Sequence, residues 1–196
     1  MKLQDELPHG VKVDGKYYRL KLDFRNVLDF MDVLARDDLF PGAKMYLALK
    51  RIMKRPPQQC EKLFLAVNEL LFPEHDEKKR EKITDYLQDA DLIRAAFLQS
   101  YGINLYRDKL HWLEFIELMS CLPGGSRYAD VLSIRVREIP PATQYNQKER
   151  EWLLKAKESC ALKITDKERE RIYREGVAKI FAGMLAMAKG GENNGI

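Results

Sequence analysis

The sequence predicts a mainly α-helical protein, with about eight helices and one small β-hairpin near the N-terminus. Three observations carry this prediction. Apolar residues recur at the three- and four-residue intervals of an amphipathic helix over most of the chain. Prolines and glycines interrupt these runs where helices end. Short extended runs flank a tight-turn dipeptide only near the N-terminus, which predicts a single hairpin.

The hairpin is predicted around Asp14-Gly15, because this dipeptide accepts the positive φ angles of a two-residue type I′ turn. Asp23 then follows as the N-cap of a first helix, since its carboxylate can accept a hydrogen bond from an exposed helical amide. The apolar positions with helical spacing are Phe24, Val27, Leu28, Met31 and Leu34. We therefore expect the hairpin to lead directly into this helix.

Prolines and glycines mark the next helices. A second helix begins at the Pro41-Gly42 turn and ends before Pro56-Pro57, because proline disfavours helical geometry in the residue before it. A third is predicted over residues 58–72, and a fourth begins near Tyr86 and ends at Gly102 as its C′ residue. A helix over residues 109–122 and another from Ser126 towards Pro140 complete this part of the chain.

The proline pair at residues 140 and 141 is the predicted domain boundary. It separates a helical body, residues 1–140, from a C-terminal helical pair, residues 141–188, and residues 189–196 are expected to be a disordered tail. Two capping boxes introduce the pair, Asn146 with Glu149 and Thr165 with Glu168, and the last helix is expected to reach about Ala188.

Composition describes an ordinary globular chain. It has 196 residues, of which 45% are hydrophobic and 33% charged, and a net charge of +4. No apolar run approaches the roughly 20 residues of a membrane span, and the N-terminus lacks the apolar core of a signal peptide, so we expect a cytoplasmic protein. Cys60, Cys121 and Cys160 form no CxxC pair and are expected to be small buried hydrophobes.

The segment around His111 is the strongest candidate for a metal or acid/base site, because acids follow the histidine at three-residue spacing. However, His9 and His75 lie in separate segments without ligand-like spacing. Apolar residues cover most of this helix, which predicts a core helix. We therefore expect His111 to lie in the first turn after an Asp108 cap and to make a structural hydrogen bond.

Other catalytic patterns are absent from the sequence. It contains no GxGxxG, no GxxxxGK[ST] and no GxSxG, and no pair of acids stands out from surface helical charge. We expect no catalytic residue, no bound metal and no cofactor. Only His111 and the three thiols support the alternative of an enzyme.

Three motifs occur in the order AFLQSYGI (96–103), LHWLEFIELMSCLP (110–123) and LSIRVREIP (132–140). In this order they resemble a family of small proteins from tailed bacteriophages and prophages. The segment DFRNVLDFMDVL (23–34) is also similar to the N-terminal part of that family. The resemblance spans roughly residues 16 to 145, and the three ordered motifs make it more specific than any one alone.

The resemblance implies a tail assembly chaperone, encoded beside the gene for the tail tape-measure protein. Such a chaperone binds the tape-measure protein, helps to recruit tail-tube protein and leaves the finished particle. It would act in the host cytoplasm, be absent from the mature virion and have no enzymatic activity. His111 and Trp112 match the family's HW pair, and with Phe115 they are expected to determine the fold.

Two surfaces are candidates for partner binding. Met184, Leu185 and Met187 extend beyond the apolar stripe of the last helix and would suit a partner protein or a second copy of this chain, although helical core is the alternative. The stretch 42–59 contains no acid, and its basic residues are Lys44, Lys50, Arg51, Lys54 and Arg55.

This basic stretch could bind nucleic acid or an acidic partner helix, or it could be a solvated face. No helix-turn-helix, RNP or zinc-finger pattern accompanies it. We expect no membrane among the partners and do not expect nucleic acid. The alternative function is a nucleic-acid-binding or other phage-encoded interaction protein that uses the basic helix at 44–55, with Lys50, Arg51 and Lys54 as its binding residues.

Overall fold

The computed structural model describes residues 4–73 and 83–163. Over these residues the chain forms seven helices and one two-stranded antiparallel sheet, which confirms the mainly α fold with an N-terminal hairpin. The helix predicted from Thr165 to about Ala188 lies outside the described residues. In chain order the elements are β1 Gly10–Val13, β2 Lys16–Arg19, α1 Phe24–Ala35, α2 Pro41–Ile52, α3 Glu61–Leu71, α4 Ala90–Tyr101, α5 Trp112–Ser120, α6 Arg127–Val136 and α7 Gln147–Cys160.

The hairpin has the predicted turn. Asp14 and Gly15 both adopt positive φ angles, 49° and 79°, as a type I′ turn requires. This turn pairs Val13 with Lys16 and places β1 against α3. The hairpin thereby covers one side of the helical body.

The first helices follow the sequence closely. Asp23 caps α1 by accepting a hydrogen bond from the Arg25 amide at 3.1 Å, and α1 packs along α2. Proline occupies the first position of α2, where its missing N–H costs nothing. α3 begins at Glu61 and not at residue 58, because the chain bends at 58–59 and turns the buried Cys60 towards the core.

α4 is shorter than predicted at its N-terminus. The Asp85 carboxylate accepts hydrogen bonds from the Leu87 and Gln88 amides, at 3.0 and 2.9 Å. These side-chain bonds compete with helical ones and stabilise a turn over 86–89, so that α4 begins at Ala90. Its C-terminus is as predicted, with Gly102 left-handed at φ 70°.

The starts of α1 and α5 are joined through their backbones. The amide of Phe24, the first residue of α1, donates to the Leu110 carbonyl at 3.0 Å. The amide of Trp112, the first residue of α5, donates to the Leu22 carbonyl at 2.7 Å. Helical N–H groups at these positions have no partner within their own helix, so each helix satisfies an open donor of the other.

An aromatic cluster surrounds this junction. The ring of Phe115 stacks on those of Phe24, Phe97 and Trp112, with centroids 4.9, 5.2 and 5.8 Å apart. The indole of Trp112 is buried and donates its Nε1–H to the Leu71 carbonyl at 2.9 Å. The cluster thus connects α1, α3, α4 and α5 in one core.

The prolines near residue 140 lie between α6 and α7. α6 is capped by Ser126 and ends at Val136, before Pro140. The predicted capping box at α7 is wrong in its geometry. The Asn146 side chain bonds back to Pro141 and Thr143, and Glu149 pairs with Arg137 at 3.2 Å. Both side chains satisfy partners in the preceding segment instead of each other.

Residues Met1–Cys160 form one compact unit. Within it α7 packs on α6 and buries Leu153. The second unit, Ala161–Ile196, is described only over residues 161–163. Whether residues 1–140 fold on their own as a body stays a prediction.

A buried ion pair ties α6 to the start of α4. Arg135 donates to both carboxylate oxygens of Asp89, at 2.7 and 2.8 Å, and only 2% of the Asp89 side chain is exposed. Arg135 also donates to the carbonyls of Ile83 and Cys160. Burial by itself would raise the pKa of Asp89, but hydrogen bonds and charge from Arg135 outweigh it and lower this pKa below its usual range.

We predict that this pair makes the fold sensitive to acid. Because the pKa of Asp89 is lower in the folded state, its stabilising contribution is complete above the unfolded-state pKa of about 4 and is lost as the pH falls through the folded-state pKa. Asp89→Asn should lower the free energy of unfolding by roughly 3 kcal/mol at neutral pH and flatten its decline towards about pH 3. Urea unfolding across this range measures both.

Asp91→Asn is the matched control, because this carboxylate pairs with Arg94 while 92% of its side chain is exposed. It should keep the acid dependence of the wild type. An equally steep decline in Asp89→Asn and the wild type would contradict the assignment.

The two tryptophans allow a test of the core. Trp112→Phe removes the donor to the Leu71 carbonyl inside the aromatic cluster, and we expect it to lower the free energy of unfolding by about 2 kcal/mol. Trp152→Phe, at a side chain that is 56% exposed, should change it by no more than about 0.5 kcal/mol. Urea titration of both variants is the measurement. If Trp112→Phe lowers the free energy of unfolding as little as Trp152→Phe does, the indole hydrogen bond is unimportant.

Candidate functional site

His111 is the N-cap residue of α5, so the prediction that Asp108 caps this helix is wrong. Its Nδ1 accepts a hydrogen bond from the Leu113 amide at 3.2 Å, and its Nε2 lies 2.9 Å from the Pro8 carbonyl. Nδ1 acts as an acceptor, so the proton is on Nε2 and is donated to Pro8. Asp108 instead accepts from the Asn104 amide, which closes the turn before the helix.

The structure brings His111, Trp112 and Phe115 together at the start of α5. Both ring nitrogens of His111 have partners within the fold, and Trp112 and Phe115 belong to the buried aromatic cluster. No ring nitrogen is left to take a proton from a substrate without giving up one of these hydrogen bonds. His111 therefore caps the helix, and Trp112 and Phe115 form part of the core.

The other groups with reactive side chains are dispersed. Among the described residues, no three His, Cys, Asp or Glu side chains lie close enough to hold a metal ion. Cys60 is buried as predicted, whereas the prediction was wrong for Cys121, which is exposed because it caps the C-terminus of α5 beyond its last buried turn. Cys160 is half-buried.

Lys50 and Arg51 lie exposed in the last turn of α2, and Lys54 lies exposed just after the helix. Positive side chains at this end also interact favourably with the helix dipole. Lys44 does not belong to the exposed group, because it is half-buried and its Nζ donates to the Leu34 carbonyl at 3.3 Å. Met184, Leu185 and Met187 lie outside the described residues.

A pocket of about 280 Å³ was not predicted. It lies between α1, α4, α5 and the segment that joins α4 to α5. The apolar side chains that line it are Phe24, Leu28, Tyr86, Ile93, Leu105 and Phe115, and the polar ones include Arg25 and Arg94. Apolar spacing identified several of these residues as core, but spacing cannot show that their packing leaves a gap.

Exposed aromatic side chains are a further feature that spacing did not reveal. Tyr106 is 70% exposed at the pocket, and Tyr145 and Trp152 are exposed near and on α7. Aromatic residues of this kind are enriched in protein–protein interfaces. No helix within the described residues has the length and apolar character needed to cross a membrane.

Comparison with known proteins assigns the chain to a family. The family model described as Bacteriophage Gp15 protein matches residues 3–162. No curated protein and no solved structure matches the chain. The matched range includes the three ordered motifs and every helix described above. The chain belongs to the bacteriophage Gp15 protein family.

Proposed function

We propose that this protein is a tail assembly chaperone that binds the tape-measure protein, assists tail-tube assembly and has no enzymatic activity. The observation that carries the proposal is its membership of a bacteriophage protein family over residues 3–162, the range that contains the motifs resembling those of tail assembly chaperones. Action in the host cytoplasm, departure before the virion matures and contact with tail-tube protein are parts of the same proposal.

The use of polar side chains supports binding over catalysis. His111 caps a helix, and Asp89 is held as a carboxylate by Arg135. A general acid or base needs a pKa near the working pH and access to a substrate. Asp89 lacks both, and the nitrogens of His111 are already bonded within the fold. His111 and Asp89 therefore serve the fold.

Exposed apolar side chains supply the contact surface that a chaperone needs. Trp152 and Leu154 are exposed on α7, on either side of the buried Leu153. Tyr145, just before α7, is exposed as well. Large side chains that cost little conformational entropy on ordering are suited to holding a partner protein. Met184, Leu185 and Met187 are proposed as further contacts, to the tape-measure protein or to a second copy of the chain.

Nucleic-acid binding is the second candidate function. The observation that favours it is the exposed group of Lys50, Arg51 and Lys54 at one end of α2. Cations in this arrangement can neutralise phosphates, and binding would weaken steeply with salt.

A co-expression experiment tests the proposed function. The wild-type chain is expressed with the tape-measure protein of the same phage genome, the lysate is treated with nuclease, and the complex is isolated by pull-down. We expect a soluble complex of fixed stoichiometry. If the tape-measure protein precipitates while this chain stays soluble and unbound, the chaperone proposal is wrong.

The triple variant Lys50→Glu, Arg51→Glu, Lys54→Glu separates the two candidates. We expect it to form the same complex, because the proposed contact surface is apolar. DNA retention at low and at high salt is measured in parallel. Retention by the wild type that high salt and the triple variant both abolish would instead support nucleic-acid binding.

A further inference from the structure

The pocket between α1, α4 and α5 has the size of a side-chain site. Its volume of about 280 Å³ lies just under the roughly 300 Å³ at which pockets for small-molecule ligands begin. Phe115 forms a buried wall, and Leu28, Ile93 and Leu105 supply apolar surface. A single large apolar side chain matches this volume and lining better than a cofactor does.

The rim of the pocket carries aromatic rings and two arginines. The Arg94 guanidinium lies 4.6 Å from the centre of the Tyr106 ring, and the Arg25 guanidinium lies 5.1 Å from that of Phe24. All four residues line the pocket. Tyr106 is largely exposed, so its ring is available for stacking with an incoming group.

Arg94 has hydrogen-bonding capacity that the fold does not use. Its Nε is buried and has no acceptor among the described residues. A buried donor without an acceptor is costly, which favours any partner that supplies one. Arg94 also pairs with Asp91, but the exposure of Asp91 makes this contact weak and easily exchanged for another carboxylate.

Arg25 is engaged more firmly. It donates to both carboxylate oxygens of Asp23, at 2.9 and 3.2 Å, and to the Asp108 carbonyl at 2.8 Å. Arg25 therefore adds fixed structure to the rim, and Asp23 balances its charge. Arg94 is the group that can donate to a new acceptor, because its partner Asp91 is exposed, and its charge is complementary to an acid.

We propose that this pocket binds a segment of a partner protein in which a large apolar side chain, such as phenylalanine, stands next to an acidic residue. The apolar side chain packs between Phe115 and Tyr106, and the carboxylate accepts hydrogen bonds from Arg94. The chemistry of the segment follows from the pocket alone, whereas its origin in the tape-measure protein rests on the proposed function.

A nucleobase is the competing occupant, since it would also stack on Tyr106 and Arg94. The lining argues against it. Reading a base requires polar groups at its edges, and the interior walls at Leu28, Ile93 and Leu105 are aliphatic.

Short blocked peptides test the proposal on the full chain. The probes are acetyl-Ala-Phe-Glu-Ala-amide, the same peptide with alanine for phenylalanine, the same peptide with lysine for glutamate, and a thymidine oligonucleotide. Amide shifts in ¹H–¹⁵N spectra are followed at Ile93, Arg94 and Tyr106. We expect the first peptide to shift these amides, the alanine peptide to leave them unchanged and the lysine peptide to bind about tenfold more weakly.

Two variants make the test independent of any one substitution. Arg94→Gln should weaken binding of the first peptide about tenfold. Ala90→Leu should abolish it, because Ala90 lines the pocket and the larger side chain fills it. Arg127→Gln is the control, because Arg127 is an exposed arginine on α6 and does not line the pocket. It should bind as the wild type does.

The outcomes separate this proposal from the chaperone function. Equal binding of the phenylalanine and alanine peptides, unchanged binding by Arg94→Gln, or shifts with the oligonucleotide alone would overturn the pocket assignment. Peptide binding without a complex in the co-expression experiment would leave the pocket assigned and reject the tape-measure partner. A complex that forms while no peptide binds would reject the pocket alone.

Discussion

The rest of the fold depends on two backbone hydrogen bonds that join the start of α1 to the start of α5. Phe24 donates to Leu110 and Trp112 donates to Leu22, so each helix start satisfies the other. The caps Asp23 and His111 then bind the next amide of their own helices. This junction holds distant segments in fixed register and brings the rings of Phe24, Trp112 and Phe115 into one stack.

Two of the polar groups with the most distinctive environments hold the fold together. His111 caps α5 at the junction, and the Asp89–Arg135 pair holds α6 against the start of α4. The exposed surface carries both ion pairs, such as Arg137 with Glu149, and large side chains such as Tyr106 and Trp152. The pocket beside Arg94 is lined both by this arginine and by core residues such as Phe115. Family membership places the chain among bacteriophage proteins.

Sequence patterns predicted the features that depend only on neighbouring residues. The hairpin turn at Asp14-Gly15, the cap at Asp23 and the end of α4 at Gly102 each depend on a few neighbouring residues. Contacts between distant residues were not predictable, because apolar spacing shows that a residue is buried but not against what. Three features are of this kind: the Arg135–Asp89 pair, the hydrogen bond from Lys44 to the Leu34 carbonyl, and the pocket. His111 was assigned three positions too deep in its helix because Asp108 is the commoner capping residue.

Native-state hydrogen exchange at the amides of Phe24 and Trp112 tests the junction most directly. If the fold depends on it, both amides exchange only through global unfolding, and their opening free energies equal the free energy of unfolding from urea titration. The exposed Gly125 amide should exchange much faster. Opening free energies for Phe24 and Trp112 several kcal/mol below the global value would show that the junction opens while the rest of the fold persists, and would contradict this account.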